Sequence, residues 1–144
     1  METTELDTKA EEASVNGHDD TWKVFDDDQA FLQHIISKKP AEEIVEVPEW
    51  DVKILCRALN AEKRIEAQAL GYNEKTKLIN YRVCFDMIVM AGCFNPVTGK
   101  RIFTPSHRDM LMHDQDGGVI ERLALTILRL SRMLLGDSER AKKN

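Results

Sequence analysis

From Ile120 to Leu134 the large apolar residues Ile120, Leu123, Ile127, Leu130 and Leu134 recur at every third or fourth position, with Arg122, Arg129 and Arg132 set between them. Residues three or four apart lie on one face of an α-helix, so this spacing predicts a helix over 119–135 carrying a single apolar stripe. Gly136 stands where such a helix would stop. Any fold this chain adopts must therefore supply a second apolar layer to cover that stripe.

Part of that layer is legible upstream. Val52, Ile54 and Cys56 alternate with Lys53 and Arg57, the period-two pattern of a half-buried strand, and Ile44, Val45 and Val47 precede them. Pro48 has no N–H to donate, which places Pro48, Glu49, Trp50 and Asp51 at the connection or on an edge of a strand pair. Trp50, a large aromatic beside a proline, anchors either a core or an interface. Helical patterns fill much of the remainder. Asp26 to Lys39 carries the stripe Phe31, Leu32, Ile35, Ile36; Asn60 can cap a helix through Leu70 that Gly71 ends. Glu74 to Ala91 places Leu78, Tyr81 or Arg82, Phe85, Ile88 and Val89 at helical spacing, and Thr104 before Pro105 opens a helix to about His113. Asn95 to Gly99 is a tight loop, and Asp116, Gly117 and Gly118 interrupt the chain before its last helix. The expected fold is α+β and mostly helical, with four to five helices and a small strand pair near residues 44–57.

A chain of 144 residues is about one domain's worth. Charge is distributed unevenly along it: residues 1–50 hold 4 Lys/Arg against 14 Asp/Glu, and residues 51–144 hold 16 against 11. The pattern divides the chain into a mobile acidic arm at 1–23, a single domain at 24–136 and a polar tail at 137–144. The arm either folds back on the basic body or keeps the protein soluble. Basic residues are spread singly without interleaved aromatics, which is not the footprint of a nucleic-acid surface. No apolar run approaches the roughly 18 residues of a membrane span, and the N-terminus is acidic, so an intracellular protein is expected.

Residues that could carry chemistry are few. Ser106, His107 and Asp109 match a catalytic triad by type, yet as near neighbours on one helix they cannot aim a base at a nucleophile. Asp114, Asp116 and Gly117 echo a calcium loop, but aligning Gly117 with its central glycine puts Met112 and Leu123 where carboxylates are required. His107, His113, Asp114 and Asp116 read as solvated helix-end residues. Cys56, Cys84 and Cys93 make an odd count without Cys-x-x-Cys spacing, which favours buried reduced thiols over a disulfide framework or a zinc site. The expectation is a non-enzyme with no catalytic residue, cofactor or metal.

Val47, Pro48, Glu49, Trp50, continued by Val52, Ile54, Arg57, Leu59, the Ala61 to Arg64 helix start and Gly99, Arg101, Phe103, form an ordered set. With the 26–39 helix, the helix holding Asn80 to Val89, Asp109, Leu111 and the apolar last helix, this set resembles the tail assembly chaperones of long-tailed, siphovirus-type bacteriophages and prophages over residues 24–135. Asp51 stands where a glycine is expected, and Asn95 to Thr98 replace an acidic loop. The resemblance implies an assembly factor of the host cytoplasm, absent from the mature virion. It would bind the tape measure protein, keep it soluble, help recruit the tail tube protein and self-associate as a homo-oligomer, without nucleic acid, membrane or cofactor. Contact residues are expected among Trp50, Val52, Ile54, Ile120, Leu123, Ile127, Leu130 and Leu134, since apolar surface beyond what a core needs is available to a partner helix. The alternative is a structural head-tail connector or minor tail protein of the virion.

Overall fold

The computed structural model describes residues 22–133. Most of the acidic arm, the 137–144 tail, and Leu134, Leu135 and Gly136 lie outside the described residues. The chain divides between Lys39 and Pro40 into two compact units.

In the first unit, helix α1 runs Asp28–Ser37, opened by Asp27, whose Oδ2 accepts the Ala30 N–H at 3.0 Å. Asp27 and Asp28 are favourable at this positive end of the helix dipole. Phe25 packs on Phe31 and His34, with ring centroids 5.5 and 5.0 Å apart. Phe31, Leu32, Ile35 and Ile36 stay exposed.

The second unit begins with a hairpin, β1 Glu42–Val47 and β2 Val52–Arg57, in antiparallel register from Glu42 against Arg57 to Val47 against Val52. Its connection is the 3₁₀ turn Pro48–Trp50, closed by Asp51 in the left-handed region at φ 53°. Helix α2 spans Ala61–Gly71, with Asn60 Oδ1 accepting the Lys63 N–H at 2.8 Å. Gly71 is required where α2 meets the returning chain, since a Cβ there would lie 2.9 Å from the Asn80 carbonyl oxygen.

The expected helix over 74–91 is shorter than its periodicity implies. Residues 72–80 form a turn instead, with Tyr72 bridged to Ile79 and Lys77 in the left-handed region at φ 63°. Asn73 Oδ1 accepts the N–H groups of Lys75 and Thr76, and Asn80 Oδ1 accepts that of Arg82. These side chains offer the backbone partners that compete with a helical ladder. A 3₁₀ turn at Tyr81–Cys84 leads into helix α3, Phe85–Gly92.

Strand β3, Cys93–Phe94, pairs with β2 and extends the expected strand pair to a three-stranded antiparallel sheet of order β1-β2-β3. A loop, the 3₁₀ turn Pro105–His107 and a π-turn at Met110–Asp114 lead to α4, Gly117–Leu130, capped by Asp116 Oδ1 on the Gly118 N–H at 2.7 Å. Helix α4 stops before the expected end at 135. The Met133 N–H reaches the Leu128 carbonyl and the Arg132 N–H that of Arg129, with Arg132 at φ 58°. This is a Schellman stop with arginine where glycine is usual.

The packing answers the requirement set by the α4 stripe. Val119, Ile120, Leu123, Ala124, Ile127 and Leu128 are buried together with Val47, Ile54, Cys56 and Cys93 of the sheet and Ile88 and Val89 of α3. Each such Val, Leu or Ile side chain contributes about 1.5–3 kcal/mol on burial. The mixed, mostly helical α+β architecture is thus a sheet and short helices closed over one amphipathic helix.

Candidate interaction site

Pro48 presets the φ of the 3₁₀ turn, and the Asp51 N–H returns to the Pro48 carbonyl at 3.1 Å, so the hairpin tip is fixed by its own backbone. That geometry sets Trp50 edge-on to Phe103, ring centroids 6.3 Å apart at 71°. Phe103 also meets His107 edge-on, with ring centroids 6.3 Å apart at 79°. His107 is itself positioned, because its Nδ1 accepts the Thr104 backbone N–H at 3.0 Å in a capping box.

The loop that delivers Phe103 is ordered by Asn95, whose Oδ1 accepts the Val97 N–H at 2.8 Å while its carbonyl accepts the Gly99 N–H at 2.8 Å. Gly99 takes φ 73°, a conformation that favours glycine. The chain then returns, with the Ile102 N–H donating to the Cys93 carbonyl at 3.1 Å.

Between these segments lies a cleft of about 410 Å³. Ile54, Leu111 and Ile102 form its apolar lining, with Trp50, Val52, Phe103 and Met110 around it, while Lys53, Asn95 and Gln115 supply polar groups. The lining is mainly apolar and aromatic, an arrangement suited to burying apolar side chains.

Of the residues expected at an interface, the structure brings Trp50, Val52 and Ile54 together in this cleft. Ile54 is 2 % exposed and contributes mainly to the floor, whereas Val52 is 47 % exposed. Ile120, Leu123 and Ile127 are buried in the core against the sheet and α3, so within this unit they offer no surface to a partner. Leu130 is half-buried against the same core, and Leu134 lies outside the described residues. Ile102, Phe103, Met110 and Leu111 were not expected at the site. The apolar pair after the Asn95–Gly99 turn was the available signal.

The arginines between the stripe positions of α4 turn to the hairpin. Arg122 grips Glu49 with both terminal nitrogens at 2.8 and 3.1 Å, and Arg129 Nη2 lies 2.8 Å from Glu43. The hydrogen bonds from Arg122 hold the Glu49 carboxyl below its ordinary range, and Glu49 in turn raises Arg122. The residues suggestive of a triad have other partners: Ser106 Oγ pairs with Thr104 Oγ1 at 2.7 Å, His107 Nδ1 accepts the Thr104 N–H at 3.0 Å, and Asp109 Oδ1 lies 3.4 Å from Arg108 Nη1. Among the described residues no three His, Cys, Asp or Glu side chains cluster as metal ligands, and no helix is long and apolar enough to cross a membrane.

No protein-family model and no curated protein matches the chain. Among solved structures it is similar to one described as "Structure of bacteriophage HK97 tail assembly chaperone", at 18% identity and a TM-score of 0.49, over 69% of this chain and 96% of that one. A likeness of that degree carries no functional assignment.

Proposed function

We propose that this protein is a non-catalytic assembly chaperone of a bacteriophage tail. It seats apolar helical segments of the tape measure protein in the Trp50–Phe103 cleft, keeps that protein soluble and helps recruit tail tube subunits. It acts in the host cytoplasm and is absent from the finished virion.

One observation carries the reading. Two stretches that belong to the sequence resemblance, Val47 to Ile54 and Gly99 to Phe103, are far apart in the chain but meet in space, where Trp50 and Phe103 lie against each other at the cleft. A groove with an aromatic rim and an apolar floor is the complement of an amphipathic helix that inserts one or two large side chains. A long helical partner bearing many such segments would be coated by several copies through avidity.

Co-expression tests the proposal. A tape measure protein co-expressed with this chain should remain in the soluble fraction and should precipitate without it; equal solubility in both cases would refute the chaperone role. Mass spectrometry of purified particles is the companion measurement, because stoichiometric presence in virions would assign the chain to the tail structure instead.

A further inference from the structure

Cys56 and Cys93 are direct cross-strand partners on β2 and β3. Both side chains are fully buried. Directly opposed residues of an antiparallel pair have Cα atoms roughly 4.5–5.5 Å apart, inside the span that a disulfide bridges. Cys84 has no part in this pair; its sulfur lies 3.4 Å from the Tyr81 carbonyl and 3.8 Å from that of Ala67. The odd cysteine count therefore conceals one matched pair and one bystander.

We propose that Cys56 and Cys93 form a reversible dithiol–disulfide couple, closed by a small-molecule disulfide such as glutathione disulfide, that fastens β3 and its following loop to β2. β3 is two residues long and continues into the exposed loop 95–100, so fraying at this end admits the reagent without global unfolding.

The roles follow from the surroundings. The interaction with Cys93 lowers the Cys56 thiol against its burial, which raises it, with Glu43 also raising it and Arg129 lowering it. Cys93 is raised by its interaction with Cys56 and by burial, so the first attack is assigned to Cys56. The Cys56 thiolate attacks one sulfur of glutathione disulfide, forming a mixed disulfide and expelling one glutathione thiolate. Cys93 then gives up its proton and attacks the Cys56 sulfur, forming the cross-strand bond and releasing the second glutathione. Two protein thiols are oxidised and one glutathione disulfide is reduced to two thiols.

The bond would join two strands that are tied to residues of the cleft. The Cys93 carbonyl accepts the Ile102 N–H at 3.1 Å, and both Ile102 and Ile54, on the same strand as Cys56, line the cleft. Oxidation would thus tie one wall to the other. The inference rests on the cross-strand register of the two buried cysteines and stands whatever occupies the cleft.

The full chain, incubated in graded mixtures of reduced and oxidised glutathione, is quenched by alkylation and read by intact mass and peptide mapping. Expected is a species lighter by two hydrogens, alkylated at Cys84 alone, with Cys56 and Cys93 linked. In it, amide exchange over 93–102 should slow roughly tenfold or more, reversibly on adding dithiothreitol. The Cys93→Ala chain should stop at a glutathione adduct on Cys56. Prolonged incubation that leaves Cys56 and Cys93 free or separately glutathionylated in the parent chain, or that links Cys84, would overturn the proposal.

Discussion

The Ser131 hydroxyl accepts the backbone N–H of Leu59 at 2.8 Å, joining the end of α4 to the segment that leaves the sheet. The same oxygen donates to the Ile127 carbonyl at 2.7 Å, and Arg64 Nη1 donates to the Ser131 carbonyl at 2.6 Å. Ser131 is the buried polar residue of the described core, 6 % exposed. Ser131→Ala leaves the Leu59 N–H without its acceptor and should lower stability by about 1–3 kcal/mol. Urea unfolding would show this as a lower midpoint at unchanged slope; an unchanged midpoint would mean that water or a backbone shift replaces the hydroxyl.

Gly92 ends α3 directly against Ile127 of α4. A Cβ at Gly92 would come within 2.6 Å of Ile127 Cδ1 and 2.8 Å of its Cγ1 and Cγ2. Ile127 is fully buried, so it has little room to yield. Gly92→Ala should destabilise by about 1–3 kcal/mol, the usual cost of overpacking. Combining it with Ile127→Val should recover part of that loss in thermal unfolding, which a purely helical-propensity effect at Gly92 would not allow.

Binding can be separated from folding at Val52, which lies at the cleft with 47 % of its surface exposed. Val52→Asp should change stability by no more than about 0.5 kcal/mol. It should weaken capture of a tape measure segment roughly tenfold or more, by placing a charge where an apolar anchor docks. Leu70→Asp, at an exposed position on α2, is the control and should bind normally. Equal affinity of both variants in a titration would remove the cleft from the binding surface.

The Glu49–Arg122 pair gives a pH dependence of defined sign. The carboxyl of Glu49 is lowered from an ordinary value of 4.5, first by hydrogen bonding from Arg122. A depressed folded-state value means that the unfolded chain binds the proton more readily. The contribution is therefore present above pH 4.5 and lost as pH falls through the lower, folded value. Glu49→Gln should flatten that part of the stability profile. Because the pair is exposed, added salt should also shrink the difference between parent and variant.

Where sequence patterning sufficed and where it failed has a common physical origin. Strand β2 and the buried face of α4 follow from periodicity because each has one covered side, and Asn60 marks a helix start through a side-chain cap that is local in sequence. The 72–80 turn was hidden by helix-forming residues at Glu74, Lys75 and Lys77 and by apolar spacing that happens to continue into α3. It is decided by Asn73 and Asn80, whose side chains bond backbone N–H groups two or three residues on. Periodicity also cannot say what covers a stripe: Ile120, Leu123 and Ile127 face the chain's own sheet and α3, not a partner. The cleft was half legible, since Trp50 and Val52 stood out locally, while their pairing with Phe103 and Met110 depends on closure of distant segments.

Arg132 occupies the left-handed position of the Schellman stop at φ 58°, with its N–H on the Arg129 carbonyl at 3.0 Å. For a residue with a Cβ this conformation costs about 1–2 kcal/mol, which glycine does not incur. Glycine gives back part of that through the greater freedom of its unfolded chain. Arg132→Gly should therefore raise stability by up to about 1 kcal/mol, and Arg132→Val should lower it, because a β-branched side chain tolerates this region least. The ordering Gly above Arg above Val in denaturant midpoint is the signature of backbone strain. Equal losses in both variants would instead show that the arginine side chain itself contributes to the stop.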